Sequence, residues 1–140
     1  MKSLLSKFNW LPPLFARISV GWVFVESGWG KLQNLPRVVE YFASLSIPFP
    51  ELHAPFVASV ELAAGILLIF GLATRLASIP LIGIMIVAIL TAKLPEIEFF
   101  SDVFGFSEFL YILLLFWLVT NGPGLVSVDH FISKYLKEKI

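Results

Sequence analysis

The chain has 140 residues, of which 58% are hydrophobic and only 14% are charged, whereas about a quarter of the residues in a soluble globular domain are charged. With a mean hydropathy of +0.88, this composition favours a lipid environment and excludes a disordered chain. Ten basic residues balance ten acidic ones and there is no cysteine, which argues against nucleic-acid binding and excludes disulfides, iron–sulfur clusters and thiolate metal sites on this chain.

Four apolar stretches follow one another, and each is long enough to span a membrane as a helix. Residues 79–90 and 109–119 are nearly continuous apolar runs, unlike the alternating strands of a transmembrane barrel. The sequence therefore predicts an all-α fold, an integral membrane four-helix bundle that forms a single domain. The predicted spans are residues 10–32, 54–72, 76–92 and 103–121.

Two shorter helices are predicted outside the spans. The loop over residues 33–53 contains apolar residues at helical spacing, followed by Pro48 and Pro50, which favours a short amphipathic helix over the bundle mouth. Residues 128–138 combine an apolar stripe with lysines, a pattern typical of a helix at the surface of an anionic leaflet. A solvated tail is the alternative for this last segment.

The distribution of basic residues predicts the orientation in the membrane, because lysine and arginine accumulate in cytoplasmic loops. One side of the membrane is predicted to carry Lys2, Lys7, Arg75, Lys134, Lys137 and Lys139. The other side is predicted to carry Lys31, Arg37 and Lys93. The protein is therefore expected to be a multi-pass protein of the cell (inner) membrane with both termini in the cytoplasm.

Several charged residues fall inside the predicted spans, where each costs about 2.5–3.5 kcal/mol at the membrane centre. Glu26, Glu61 and Glu108 lie about 8–10 Å below the outer ends of their helices, at a rise of 1.5 Å per residue. They are expected to share one layer, with Lys31 and Lys93 close enough to neutralise part of their charge. This layer predicts a polar pocket in the outer leaflet.

Helical spacing assigns these residues to faces. Ala54, Ala58, Glu61 and Gly65 align on one face of the second span, so Glu61 lies in a seam of small residues that should face another helix. In the first span, Glu26 lies nearly opposite the stripe that contains Arg17 and the glycines. The candidate ligand-binding residues are Arg17, Glu26, Lys31, Glu61, Glu108 and Tyr111.

Each candidate also has a structural interpretation. Glu61 could join two helices by pairing with Lys31, and Arg17 is expected to extend to lipid phosphates at the inner edge. Tyr111, one turn after Glu108, could hydrogen-bond to it but is expected to pack instead. A haem held by both histidines is not expected, because His53 and His130 fall on opposite sides of the membrane in this topology. Glu51 and His53 could contact a metal, but two residues in a loop are too few to predict a metal site.

Seven short motifs follow one another along the chain: Arg17-x-x-x-Gly21, Gly28-Trp29-Gly30-Lys31, Ile47-Pro48-Phe49-Pro50-Glu51, Glu61-x-x-x-Gly65, Gly71-Leu72-Ala73-Thr74-Arg75, Glu108 and Gly122-Pro123-Gly124 with Ser127-x-Asp129. In this order they resemble the motifs of the DoxX-like family, small four-helix membrane proteins of bacteria and archaea. The resemblance covers most of the chain. It departs at Leu125-Val126, where relatives often have a basic residue, and at Lys93, where histidine is expected at least as often.

The resemblance implies an accessory membrane subunit linked to quinol oxidase or thiosulfate:quinone oxidoreductase complexes. We therefore expect no catalytic activity of the chain alone, no cofactor of its own beyond a quinone, and as partners the lipid bilayer and a redox protein or further copies of the chain. Two alternatives remain open at this point: a conduit for protons or a small solute, and a purely structural membrane partner.

Overall fold

A computed structural model of the chain describes residues 6–138, so that the predicted topology-setting Lys2 and Lys139 lie outside the described residues. The described part is all-helical and contains no strand. The α-helices are α1 Leu11–Gln33, α2 Leu35–Ser44, α3 Pro50–Phe70, α4 Thr74–Ala88, α5 Ser107–Asn121 and α6 Val128–Lys137. A π-helix at Ile89–Lys93 and a 3₁₀ turn at Leu94–Glu96 follow α4, and a 3₁₀ segment at Phe100–Gly105 precedes α5.

The predicted helix limits are close to those observed, with differences at two places. Helix α3 begins at Pro50, four residues before the predicted span, because proline suits the first turn of a helix. Helix α5 begins at Ser107 instead of Val103, because Phe106 is extended (φ −75°, ψ 133°) and separates α5 from the 3₁₀ segment.

Two helical segments are long and apolar enough to cross a membrane, Pro50–Phe70 and Thr74–Glu96. Helix α1 has a sufficient length of 23 residues but carries three charged side chains, Arg17, Glu26 and Lys31. Helix α5 has 15 residues and is therefore about 22 Å long. Length and composition thus distinguish α3 and the continuous segment Thr74–Glu96, which contains α4, from α1 and α5.

Helix α1 packs against α3 with the two backbones almost in contact. A Cβ atom added at Gly28 would lie 2.5 Å from the backbone nitrogen of Leu62 and 2.7 Å from the carbonyl oxygen of Ala58. One at Gly65 would lie 2.8 Å from the carbonyl oxygen of Gly21. The small-residue seam of the second span does therefore face another helix, as predicted, and that helix is α1.

An apolar core joins the four long helices. Its fully buried members include Leu68 of α3, Leu81 of α4 and Leu115 and Leu118 of α5. Val20 and Phe24 of α1 belong to the same cluster. Along α1 these two residues lie between Arg17 and Lys31, so the core separates the charged residues of that helix.

At the other end of the core, Arg17 holds the turn that follows α5 against the bundle. This side chain is only 2% exposed and donates to the carbonyl oxygens of Pro123 at 2.8 Å and Val126 at 2.7 Å. The expectation that Arg17 extends to lipid phosphates was therefore wrong, because the turn after α5 supplies backbone acceptors. A Cβ at Gly71, which has φ +70°, would lie 2.5 Å from Nη1 of Arg17, so glycine there leaves room for the guanidinium.

Candidate functional site

A cavity of about 880 Å³ lies above the apolar core, between the C-terminal end of α1 and the N-terminal end of α3. Helix α2 and the following loop contribute Phe42, Ile47 and Pro48 to its wall. Helix α4, its π-helical extension and α5 close the other side. The cavity therefore lies at the end of the molecule where the sequence predicted a polar pocket.

The lower edge of the cavity holds a buried ion pair. Nζ of Lys31 lies 2.5 Å from Oε2 of Glu61, and the two side chains are 26% and 2% exposed, respectively. Ser27 donates to the same Glu61 oxygen at 2.8 Å and accepts from Nζ of Lys31 at 2.6 Å. The pairing of Glu61 with Lys31, expected as its structural interpretation, is confirmed.

This ion pair depends on the close packing of α1 against α3. Lys31 follows Ser27 by one helical turn, so both face α3 from the same stripe of α1. Because Gly28, between them in sequence, allows the helices to approach, both side chains can reach Glu61. A buried charge pair of this kind fixes the register of two helices.

Lys93 reaches the cavity from the π-helical turn at the end of α4. Its Nζ lies 5.7 Å from the ring centre of Phe106 and 3.4 Å from Oε2 of Glu96, a side chain that is 58% exposed. A long contact to an exposed carboxylate contributes little, so the ammonium group retains donor capacity. Wide helical turns of this type often occur at functional sites.

Helix α5 contributes Glu108 and Tyr111 to the cavity wall. Ser107 donates to Oε2 of Glu108 at 3.2 Å. The ring of Tyr111 packs against Phe24, with ring centres 6.0 Å apart, and the expected packing role of Tyr111 is therefore observed. No cation pairs with Glu108 among residues 6–138, in contrast to Glu61.

The structure brings four of the six candidate residues to one cavity: Lys31, Glu61, Glu108 and Tyr111. Glu26 lies outside the cavity wall with its side chain exposed, because it occupies the face of α1 opposite to Lys31. Three carboxylates were expected to lie together, and the structure places two of them, Glu61 and Glu108, at the cavity. Arg17 is at the other end of the bundle, in the contacts described above.

Several further polar residues of the cavity were not among the candidates: Ser27, Tyr41, Ser46, His53, Thr91 and Lys93. Ser27 could have been found from its spacing of four residues before Lys31. Lys93 was noted near the polar layer, but its side chain was not predicted to line a cavity. His53, which contacts the carbonyl oxygen of Pro48, also lines the cavity and was assigned to a loop whose path the sequence does not define.

The arrangement suits an apolar ligand with a polar head group. Phe24, Val57, Ile84 and Met85 supply apolar wall, and Lys93, Glu108 and Tyr111 offer a hydrogen-bond donor, an acceptor and a hydroxyl group. Such a combination of apolar wall and a few polar groups is typical of small-molecule sites. The charges of Lys31 and Glu61 neutralise each other. The pair therefore positions α1 relative to α3 and adds no net charge to the cavity.

Comparison with known proteins supports the family that the sequence motifs indicate. The family model described as DoxX matches residues 13–94. "Putative oxidoreductase CatD" of Bacillus subtilis is 32% identical over 123 residues, which cover 86% of this chain and 87% of the relative. "Inner membrane protein YqjF" of Escherichia coli is 31% identical over 124 residues, covering 86% of this chain and 92% of the relative.

A third relative, an uncharacterized membrane protein of Mycobacterium tuberculosis, is 32% identical over 129 residues, covering 84% of this chain and 79% of the relative. No solved structure gives a significant match to the chain. The residues matched by the family model include Arg17, the glycines at the close contact of α1 with α3, and the Lys31–Glu61 pair. The chain belongs to the DoxX family of membrane proteins.

Proposed function

We propose that this protein is a multi-pass inner-membrane protein whose cavity binds a quinone, as an accessory subunit of a quinone-linked oxidoreductase system. The membrane placement is supported by the apolar α3 and α4 segments and by the name of its Escherichia coli relative. Helix α5 is a shorter apolar helix, and the 3₁₀ segment Phe100–Gly105 precedes it at the same end of the bundle as the cavity. In this arrangement α1, α3, α4 and α5 form the four-helix bundle.

The single observation that carries the proposal is the combination of groups around the cavity. A quinone ring requires an apolar slot of a few hundred Å³ and donors for its carbonyl oxygens, and the cavity of about 880 Å³ is larger than this minimum. Lys93 and Tyr111 are the donors, and Glu108 is an acceptor for the hydroxyl group of a quinol. A bound quinone would supply the electron-transfer chemistry, with the electrons exchanged through a partner redox protein.

The Lys31–Glu61 pair has a different role in this proposal. Because the two charges neutralise each other, with Ser27 bonded to both, they hold α1 and α3 at the distance that leaves the cavity open. The ligand contacts then come from α4 and α5. This division separates side chains that position the cavity from side chains that hold its ligand.

A conduit for protons or solutes is less well supported by the same geometry. The fully buried Leu68, Leu81, Leu115 and Leu118 lie between the cavity and the opposite end of the bundle. A path for ions requires polar side chains or water across such a layer. A single copy of the described residues therefore favours a binding site that opens at one end.

Quinone binding to the purified protein tests the proposal. We expect a short-chain ubiquinone or menaquinone to raise the melting temperature in neutral detergent in a saturable manner. For the reduced, quinol form of the same ligand, Glu108→Gln should weaken the apparent affinity about tenfold, the effect of losing about 1.4 kcal/mol, because the quinol hydroxyl group loses a charged acceptor.

Glu26→Gln is the matched control, since it makes the same chemical change on an exposed carboxylate outside the cavity. It should leave the quinone affinity unchanged. A wild-type protein that shows no saturable shift with either quinone would contradict the proposal and favour the purely structural alternative. Equal loss of affinity in both variants would place the quinone outside this cavity.

A further inference from the structure

A second pocket, of about 600 Å³, lies at the opposite end of the bundle from the cavity. It is formed where the residues before α1 meet the start of α4, the turn after α5 and helix α6. Its wall combines polar side chains with apolar ones: Asn9, Arg75, Asn121 and His130 with Trp10, Leu76 and Leu125. The proposed quinone site uses none of these residues.

Arg75 retains most of its donor capacity in this pocket. Its contact with the carbonyl oxygen of Thr120 is long, 3.4 Å, and the ion pairs within residues 6–138 do not include it. A guanidinium group has five N–H donors. Arg17 at the same end differs, because its two short bonds to backbone carbonyls make it part of the scaffold.

The acidic residue in the pocket wall is already engaged by the backbone. Oδ1 of Asp129 accepts from the backbone N–H of Ala73 at 2.8 Å, and Oδ2 accepts from that of Thr74 at 3.1 Å. Asp129 thus caps the N-terminal end of α4, whose partial positive charge stabilises the carboxylate. Its oxygens are directed to these amides, and Arg75 is left to meet an anion from outside the chain.

Apolar side chains continue from this pocket toward the exposed helix surface. Leu76 and Leu125 are 73% and 60% exposed, respectively, and both line the pocket beside Arg75. Trp10 lies on the same wall, and tryptophan favours the level of lipid headgroups. The pocket therefore presents a cationic centre next to apolar surface, which matches an amphiphile.

We propose that this pocket binds the phosphate group of an anionic phospholipid through Arg75, with the acyl chains lying over Leu76 and Leu125. Guanidinium groups bind phosphate with two parallel hydrogen bonds. Lys134 and Lys137 on the adjacent α6 add positive charge at the same end. This inference rests on the proposed membrane placement, in which the pocket faces the cytoplasmic leaflet with its anionic lipids.

Lipid binding in a phosphate-free maltoside detergent tests the inference. Phosphatidylglycerol added to the purified wild-type protein should raise its melting temperature and remain bound in native mass spectrometry. Diacylglycerol with the same acyl chains should do neither, because it lacks the phosphate group. Arg75→Gln should reduce the apparent affinity for phosphatidylglycerol at least tenfold.

Arg37→Gln is the matched control, because Arg37 is an exposed arginine on α2 at the other end of the molecule. It should bind phosphatidylglycerol as the wild type does. Glycerol 3-phosphate distinguishes the two sources of phosphate: stabilisation by it alone would assign the pocket to a soluble phosphate ester, whereas stabilisation only by the lipid assigns it to the membrane.

Equal retention of phosphatidylglycerol by the wild type and by Arg75→Gln would overturn the inference, as would equal stabilisation by diacylglycerol. The quinone titration serves as an independent readout. If quinone binding fails while the Arg75-dependent lipid shift persists, the lipid site stands without the quinone proposal. If quinone binding persists while the Arg75-dependent lipid shift is absent, only the lipid site is rejected.

Discussion

At the residue scale, the Lys31–Glu61 pair shows how the two partners of one contact can differ in their surroundings. Glu61 is almost fully enclosed, whereas the Lys31 side chain keeps 26% of its surface exposed. A lysine that loses its partner can extend toward water, but an enclosed carboxylate cannot. The two single substitutions should therefore have unequal costs.

We predict that Lys31→Met destabilises the protein by about 3–5 kcal/mol, since it leaves Glu61 buried without its cation. Glu61→Gln should cost clearly less, and the double variant should recover much of the loss caused by Lys31→Met. Unfolding in detergent, analysed as a double-mutant cycle, measures these differences. A cost for Lys31→Met no greater than that of Lys93→Met, at the partly exposed lysine of the same cavity, would contradict this account.

The pair also shows what the sequence could and could not predict. Helical spacing placed Lys31 on the stripe facing α3 and Glu61 in the small-residue seam, so their pairing could be anticipated. The burial of Arg17 could not, because its acceptors are backbone carbonyls more than 100 residues away in the chain. Side-chain identity carries no information about such acceptors.

At the element scale, the close contact between α1 and α3 depends on the positions of the glycines in α1, because glycine has no side chain to hold the helices apart. Gly28 lies against the backbone of α3, whereas a Cβ at Gly30 would have no neighbour within 4 Å. The two glycines are two residues apart in one helix and so have the same intrinsic helix propensity. Alanine substitutions at these two positions therefore separate the effect of packing between helices from the effect of helix propensity.

We predict that Gly28→Ala destabilises the protein by about 1–3 kcal/mol, the usual cost of overpacking, and weakens the bonds of Ser27 and Lys31 to Glu61. Gly30→Ala should be neutral or stabilising by up to about 1 kcal/mol, because alanine favours the helix. Melting temperatures of the two variants measure the contrast. Similar changes in both would mean that α1 and α3 are farther apart than described.

The ends of the elements were harder to predict than their existence. Residues 89–93 continue an apolar helical pattern, and nothing in their sequence distinguishes a π-helical turn from an α-helical one. Lys93 is the last residue of this wider turn, so the turn determines where its side chain is placed. Likewise, the extended Phe106 breaks a run that periodicity alone treats as one span.

At the scale of the whole molecule, the charged groups separate into two ends with an apolar layer between them. The end with the cavity carries Lys31, Lys93 and Arg37, while the other carries Arg75 and the lysines of α6. The proposed orientation with cytoplasmic termini rests on the sequence, which predicts six lysines and arginines on that side of the membrane and three on the other.

The absence of cysteine in the sequence makes the orientation directly measurable. Ser44→Cys on α2 and Ser133→Cys on α6 each introduce a single thiol at an exposed position near opposite ends. We predict that a membrane-impermeant maleimide labels Ser44→Cys in intact spheroplasts and labels Ser133→Cys only after permeabilisation. The opposite pattern would reverse the proposed orientation, and labelling of both variants in intact spheroplasts would contradict it.

The layer formed by Leu68, Leu81, Leu115 and Leu118 has a consequence for any reaction coupled to the cavity. If the proposed quinone binds in the cavity, these buried leucines beneath it favour proton exchange with the aqueous phase at the cavity's own end of the bundle. Proton uptake and release would then cancel on that side across a full reaction cycle. Under the proposed function, redox turnover at this site would therefore transfer no net charge from one compartment to the other.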